Sequence, residues 1–374
     1  MQLAFDRTGT LDGFRAALHA MAARDDVATV LVIAADGNDH VPATTDPILR
    51  GCGKPVWGAV FPQIVIGHEH LERGAIVVGL PDALRATVIA RTSDVGTDLD
   101  TLVADAVDPD VGDSALLVLV DGLSRRVAAL INALFLNFGL TVNYIGGGAG
   151  SLTLKQKPCL FTADGMLEDA AILLQLPRPN GVGVAHGWEV VSEPLKVTRA
   201  EGTTIFELDH EPAFDVYHRL VTPRHGADFD AASFFGVAKA YPFGIRKLDG
   251  EVVVRDPIMV DDRGGLVCVG EVPEGGFVHV LNGDAARLIG AARLARERAG
   301  ASLGDGRAPR LRVLIDCISR VLFLDAQFTD ELAAIDDAAV PMIGALTLGE
   351  IANSGNDFLE FYNKTAVVGV FAAA

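Results

Sequence analysis

The stretch LRVLIDCISRVLFLDAQFTDELAAIDDAAVPMIGALTLGEIANSGNDFLEFYNKTAVVGV, Leu311 to Val370, carries most of the architectural information in this chain. An apolar run ends in Asp316-Cys317, a helical spacing follows, and a second apolar run enters the turn Gly344-Ala345. A Gly349-Glu350 pair, an irregular polar loop and a last strand opened by Asn363-Lys364-Thr365 complete the unit. Continuous apolar runs of this length read as strands covered on both faces.

Much of the unit occurs twice earlier. The first copy runs through VATVLVIAADG (Val27 to Gly37), a helix-compatible segment, PVWGAVF (Pro55 to Phe61) and GAIVVGL (Gly74 to Leu80). The second starts at SALLVLVDGLS (Ser114 to Ser124) and continues into a helix, Arg125 to Phe138, with Leu130, Leu134 and Phe138 on one stripe. It then passes through TVNYIGGGAGS (Thr141 to Ser151) to a hairpin signalled by Asp164-Gly165. Aligned, each copy has a strand ending in Asp (Asp36, Asp121, Asp316), a helix, a strand entering Gly58-Ala59, Gly146-Gly147 or Gly344-Ala345, and a closing apolar strand. Ordered self-similarity of this kind predicts a repeated β-α-β-β unit in a mixed α/β fold, with layered sheets covered by helices.

Between the second and third copies the character changes. RPNGVGVAHG is rich in turn formers, and short strands follow it (WEVVSEPLKVTRAEG, TTIFEL, EVVVRDPIMVDD, GGLVCVGEV, GGFVHVLN), interrupted by a helix at Pro212 to Leu220. Turn signals at Asp249-Gly250 and Arg263-Gly264-Gly265 predict an antiparallel β meander, and Asp284 to Arg298 reads as an amphipathic helix. The expected division is 1–184, holding two units, and 185–374, holding the meander (185–310) and the third unit (311–374).

Composition narrows the function. The chain has 374 residues, 50% hydrophobic residues, 40 glycines and a net charge of −18. That charge repels phosphate backbones and anionic lipid, so neither nucleic acid nor membrane is an expected partner. No basic and apolar leader opens the sequence, and the run Val127 to Val142 is too short to span a bilayer. Four cysteines lie far apart, which disfavours a disulfide framework or zinc ribbon and points to a reducing, cytoplasmic setting. The nine histidines show no paired metal spacing, so no metal site is expected, although a single histidine suffices as an axial haem ligand.

Candidate site residues follow from strand ends and glycine turns, where loops of layered α/β folds converge. Asp36, Asp121 and Asp316 occupy that place and are candidates to line a shared cavity; the plain alternative is helix capping. The backbone of Gly146, Gly147 and Gly148 offers close approach to a ligand or a tight sheet corner. Cys317 and Arg320, one helical turn apart, suggest a thiol with a lowered pKa, against the commoner state of a buried cysteine. Glu350, Asn363 and Thr365 form a polar cluster suited to an amino or carboxylate ligand, and Arg246 can meet an acidic group bidentately. An enzyme using Asp316, Cys317 and Glu350 is the competing class.

Taken together, GGGAG (146–150), ELD followed by PAFDVYHRL, YPFGIR before LDG, GEVPEGGFVHVL, Asp316-Cys317 with Arg320, GEI at 349–351 and FYNKT at 361–365 resemble the FIST signal-transduction family, which combines FIST N and FIST C domains. The resemblance runs from about Val27 to Phe371 and departs from the family's turn at residues 50–65. It implies a bacterial, intracellular sensory module that binds a small ligand, with amino acids the proposed class. Many members carry kinase, chemotaxis or cyclic-dinucleotide output domains. None follows Phe371 here, so the expectation is a stand-alone sensor acting through a separate partner such as a kinase or cyclic-dinucleotide enzyme. Some relatives are similar to haem proteins that sense nitric oxide, which makes haem the cofactor alternative. The ligand would lie between the two halves, held by Asp121, Gly146 to Gly148, Arg246, Glu350 and Asn363.

Overall fold

A computed structural model describes residues 1–247, 250–353 and 358–373. Asp249 of the expected Asp249-Gly250 turn, and residues 354–357 of the polar loop in the third unit, lie outside the described residues. The fold is mixed α/β. Its three units supply β1 (Thr29–Ala35), β2 (Val56–Phe61) and β3 (Ala75–Leu80), then β4 (Ala115–Asp121), β5 (Asn143–Ala149) and β6 (Ala170–Leu176), then β7 (Pro309–Cys317), β8 (Met342–Thr347) and β9 (Ala366–Ala372).

In every unit the first strand pairs parallel with the second and antiparallel with the third. The crossovers are helical: α1 (Pro42–Arg50) and α2 (Val127–Phe138) in the first two units. After α3 (Ala285–Leu303), which leads out of the inserted region, α4 (Ile318–Leu324) and α5 (Phe328–Ile335) serve the third. Asp284 caps α3, its carboxylate accepting from the Arg287 N–H at 2.9 Å.

Each unit also carries a hairpin, and each hairpin leaves home. Gln63–Ile66 with Glu69–Leu71, from the first unit, extends the third unit's sheet beside β8. Leu160–Thr162 with Gly165–Leu167, from the second, extends the first unit's sheet beside β2. Glu350–Asn353 with Leu359–Tyr362, from the third, extends the second unit's sheet beside β5. An outer strand completes each sheet (Gln2–Asp6, Arg85–Ala90, Asn180–Ala185), giving three six-stranded sheets related by a pseudo-threefold axis. One apolar core cluster joins residues of all three units, among them Val32, Leu119 and Ile315.

Strand register tests the repeat alignment directly. Val32 stands opposite Gly58, Val118 opposite Gly146 and Leu314 opposite Gly344. A Cβ at these glycines would come within 2.1, 1.8 and 2.3 Å of the facing carbonyl oxygen, so the three alike require glycine. The aspartates do not align: on this register Asp36, Asp121 and Asp316 each stand one place out of step with the next. A one-residue slip in a strand reverses the face, and the three side chains do not line a shared cavity.

The inserted region forms an antiparallel sheet, as expected, but it is more than a meander. Phe277–Asn282 pairs with both Leu195–Glu201 and Phe243–Arg246, so Thr204–Leu208, Leu266–Val269 and Val252–Val260 lie in a closed ring between them. Val197, Tyr217, Phe234 and Phe243 fill its core. The barrel meets the three-sheet body at the third unit's hairpin, where Arg255 reaches the Phe361 carbonyl at 2.9 Å.

Candidate functional site

The glycine run at the end of β5 is consumed by strand pairing. Gly147 stands opposite Glu350, Gly148 donates its N–H to the Gly349 carbonyl at 2.8 Å, and its carbonyl accepts from the Leu348 N–H at 2.9 Å. A Cβ at Gly147 would lie 2.7 Å from the Gly349 oxygen. Asp121 is equally occupied: Oδ1 accepts from the Leu123 N–H at 3.0 Å, and Oδ2 accepts from the Asp169 N–H and Gln156 Nε2, each at 2.8 Å. Asp36 accepts from the Ser151 hydroxyl at 2.6 Å and pairs with Lys157 at 2.5 Å. These groups brace the junction where the third unit's hairpin meets the second unit.

Asp316, Cys317, Arg320, Glu350, Asn363 and Thr365 do come together, in a network sealed from solvent. Arg320 donates to both Glu331 oxygens at 2.9 and 2.6 Å, to the carbonyls of His186, Leu288 and Lys364, and pairs with Asp316 at 3.2 Å. Glu350 accepts from the Thr347 hydroxyl at 2.8 Å and the Thr365 N–H at 3.3 Å. Lys364, with a left-handed backbone (φ 51°), is buried completely; its ammonium pairs with Asp256 at 3.2 Å and donates to the Lys239 carbonyl at 3.1 Å. Asp256 also accepts from the Ser319 hydroxyl at 2.5 Å, and its N–H donates to Asn363 Oδ1 at 3.3 Å.

This network holds two cations, Arg320 and Lys364, and four carboxyls, Asp256, Asp316, Glu331 and Glu350. Burial pushes Glu350 up to about 8, against the hydrogen bonds from Thr347, Thr365 and the Cys317 thiol. Burial, reinforced by Glu331, also holds Asp316 well above the carboxylate range. Both shifts favour the neutral carboxyl, which lowers the charge the cluster must carry in a dry interior. Burial likewise pushes the Cys317 thiol far up, with Glu350 and Asp256 adding to it, the opposite of what a nucleophile needs.

Arg246 sits apart from this network, exposed at the end of its barrel strand. A different arginine borders a cavity. Arg255, only 9% exposed, donates from Nε to the Glu271 carbonyl at 3.0 Å and from Nη1 to the Val254 and Phe361 carbonyls at 3.0 and 2.9 Å. Among the described residues no carboxylate lies within ion-pair distance and Nη2 makes no hydrogen bond. Burial pulls the guanidinium below its usual range. It borders a cavity of about 520 Å³ between the barrel and the loop that follows β4.

Ser124, Arg125, Val127 and Ala128 line the same cavity at the entry to α2, whose N-cap position makes no side-chain capping hydrogen bond. Glu201 and Glu271 lie on the barrel wall, while Leu154, Met259 and Phe361 make the surface partly apolar. Gly122 and Leu348 also line the cavity, so Asp121 and the Gly349-Glu350 pair lie directly behind its wall. Of the residues expected from the sequence, Asp121, Gly146 to Gly148, Arg246, Glu350 and Asn363 are all absent from the cavity lining. The sequence reading passes over Arg255, whose signal is a charged Arg-Asp pair inside the apolar run EVVVRDPIMV.

Two family models match the chain, the FIST N domain over residues 28–211 and the FIST C domain over 213–353. The chain belongs to the FIST family. FIST domains are associated with signal transduction and small-ligand sensing. No curated protein matches the chain. In this FIST protein the two matched ranges meet inside the barrel, just before the helix Ala213–His225. Among the described residues no three potential metal ligands gather, and no helix is long and apolar enough to cross a membrane. His186, the histidine that borders an open cleft of about 950 Å³ beside α3, has its Nδ1 engaged by the Trp188 N–H at 2.9 Å, and burial lowers its pKa to about 4.

Proposed function

We propose that this protein is a stand-alone cytoplasmic sensor of a small carboxylate, with an amino acid as the preferred class, bound in the cavity beside Arg255. One observation carries the reading: a buried guanidinium with no carboxylate partner faces an interdomain cavity. An unpaired buried charge is costly, and a ligand carboxylate supplies the missing partner with charge-assisted hydrogen bonds. The uncapped start of α2 adds favourable N–H groups for the same anion. Glu201 and Glu271 suit an ammonium group, and the apolar wall suits a side chain. In this reading Asp121, Gly146 to Gly148 and Glu350 support the site from behind. A separate kinase or cyclic-dinucleotide enzyme receives the signal. Binding braces barrel against body and so transmits the signal.

Thermal unfolding against a panel of amino acids and small carboxylates tests this. A ligand at a hundred times its Kd stabilises by about 2.7 kcal/mol, and in a chain this long each kcal/mol moves the midpoint by roughly 1–2 °C. One selective shift is expected, and Arg255→Ala should remove it while leaving the fold intact. A flat panel, or an undiminished shift in the variant, rejects the reading.

A further inference from the structure

A second cavity, of about 70 Å³, lies on the pseudo-threefold axis where the three sheets face one another. Its wall is contributed in threes. Leu31 and Ile33 of β1, Leu117 and Leu119 of β4, and Val313 and Ile315 of β7 flank the register-matched residues Val32, Val118 and Leu314 on either side. No polar atom faces the space: Arg178, at one end, turns its guanidinium to an ion pair with Asp82. The cavity shares no lining residue with the one beside Arg255.

The volume is ample for water, but a buried water needs two to four polar partners and finds none here. Apolar cavities lined by Leu, Ile and Phe stay dry and accept apolar guests such as xenon or benzene. We infer that the axial cavity is a binding site for a small apolar molecule of a few heavy atoms, either a dissolved gas or a short hydrocarbon. Recognition rests on fit and dispersion contacts, which an empty space forfeits and a guest restores. Because each unit supplies two side chains, one guest touches all three sheets together and holds their relative positions. Partly exposed Met1 also lines the cavity, and its flexible thioether offers an entry route.

Xenon is the probe, used with the full chain in pressurised crystals and by ¹²⁹Xe chemical shift in solution. A single saturable site on the axis is expected, lost in the filling variant Leu119→Phe and retained in Arg255→Ala, so the result is independent of the carboxylate reading. In a separate arm n-butane distinguishes the sources: stabilisation by butane assigns a hydrocarbon, and binding of xenon alone assigns a gas. No xenon on the axis of the unmodified protein, or undiminished xenon binding in Leu119→Phe, overturns the inference. If Leu119→Phe does not fold, the enlarged variant Leu117→Ala decides, since benzene should raise its unfolding midpoint and leave the unmodified protein unchanged. Failure of benzene to stabilise Leu117→Ala overturns the inference equally.

Discussion

Glu350 and Lys364 sit side by side in the sealed network, and their charges respond to different experiments. A carboxyl that holds its proton more tightly folded than unfolded takes up protons on folding. Its contribution therefore declines as pH rises from the ordinary glutamate range to about 8, and levels off beyond. His40 and His186, lowered to about 4 by burial, act oppositely, but their effect is complete near the unfolded histidine value of about 6.5. Between pH 7 and 8 the Glu350 contribution still declines, with a slope of at most about 1.4 kcal/mol per pH unit. Glu350→Gln should flatten that decline in urea unfolding; an unchanged slope would place the titration elsewhere. Lys364→Met removes the partner of buried Asp256 and should cost about 3–5 kcal/mol in the same measurement. For Cys317, iodoacetamide should react only as fast as the protein opens; rapid labelling of the folded protein would revive the enzyme class.

At the scale of elements, β5 and the third unit's hairpin approach closely at Gly147. Gly147→Ala places a Cβ 2.7 Å from the Gly349 carbonyl oxygen and 2.9 Å from the Thr347 side chain. Neither neighbour can retreat without breaking a strand pairing, so overpacking should cost about 1–3 kcal/mol, read as a lower denaturation midpoint with an unchanged m-value. The elements themselves were legible in the sequence, because an apolar run, a helix stripe and a glycine at a fixed place recur with local periodicity. The equivalence of Gly58, Gly146 and Gly344 was visible for the same reason: each is demanded by a facing carbonyl. The aspartates misled because a residue type at a strand end says nothing of its register. Arg255 was hidden because a cation inside an apolar strand shows its purpose only when the facing elements are in place. Lys364, between Asn363 and Thr365, was passed over because full burial of a lysine depends on Asp256 and Trp188, both distant in sequence.

On the scale of the whole molecule, the exchange of hairpins is what the sequence could not display, since local period fixes a strand and its faces but not its partner. The first unit gives its hairpin to the third, the third to the second and the second to the first, so no unit completes its own sheet. Cutting the chain at 184/185 would therefore strip β5 of Glu350–Asn353, and would leave Gln63–Ile66 without β8. Both are long edges rich in apolar residues, the kind that aggregates when unpaired. The same cut exposes the shared core, in which Ile315 and Phe371 of the third unit pack with Val32 and Leu119 of the first two. Residues 1–184 alone should consequently elute as aggregate on size exclusion and show no cooperative unfolding, whereas co-expression with 185–374 should recover a complex that unfolds in one transition. Because these pairings join distant parts of the chain, refolding of the intact protein should be slow, with loop closure preceding the contacts that reward it. A soluble 1–184 fragment unfolding as cooperatively as the whole chain would show that the exchange decorates the fold without holding it, and that the family's two domains are independent bodies.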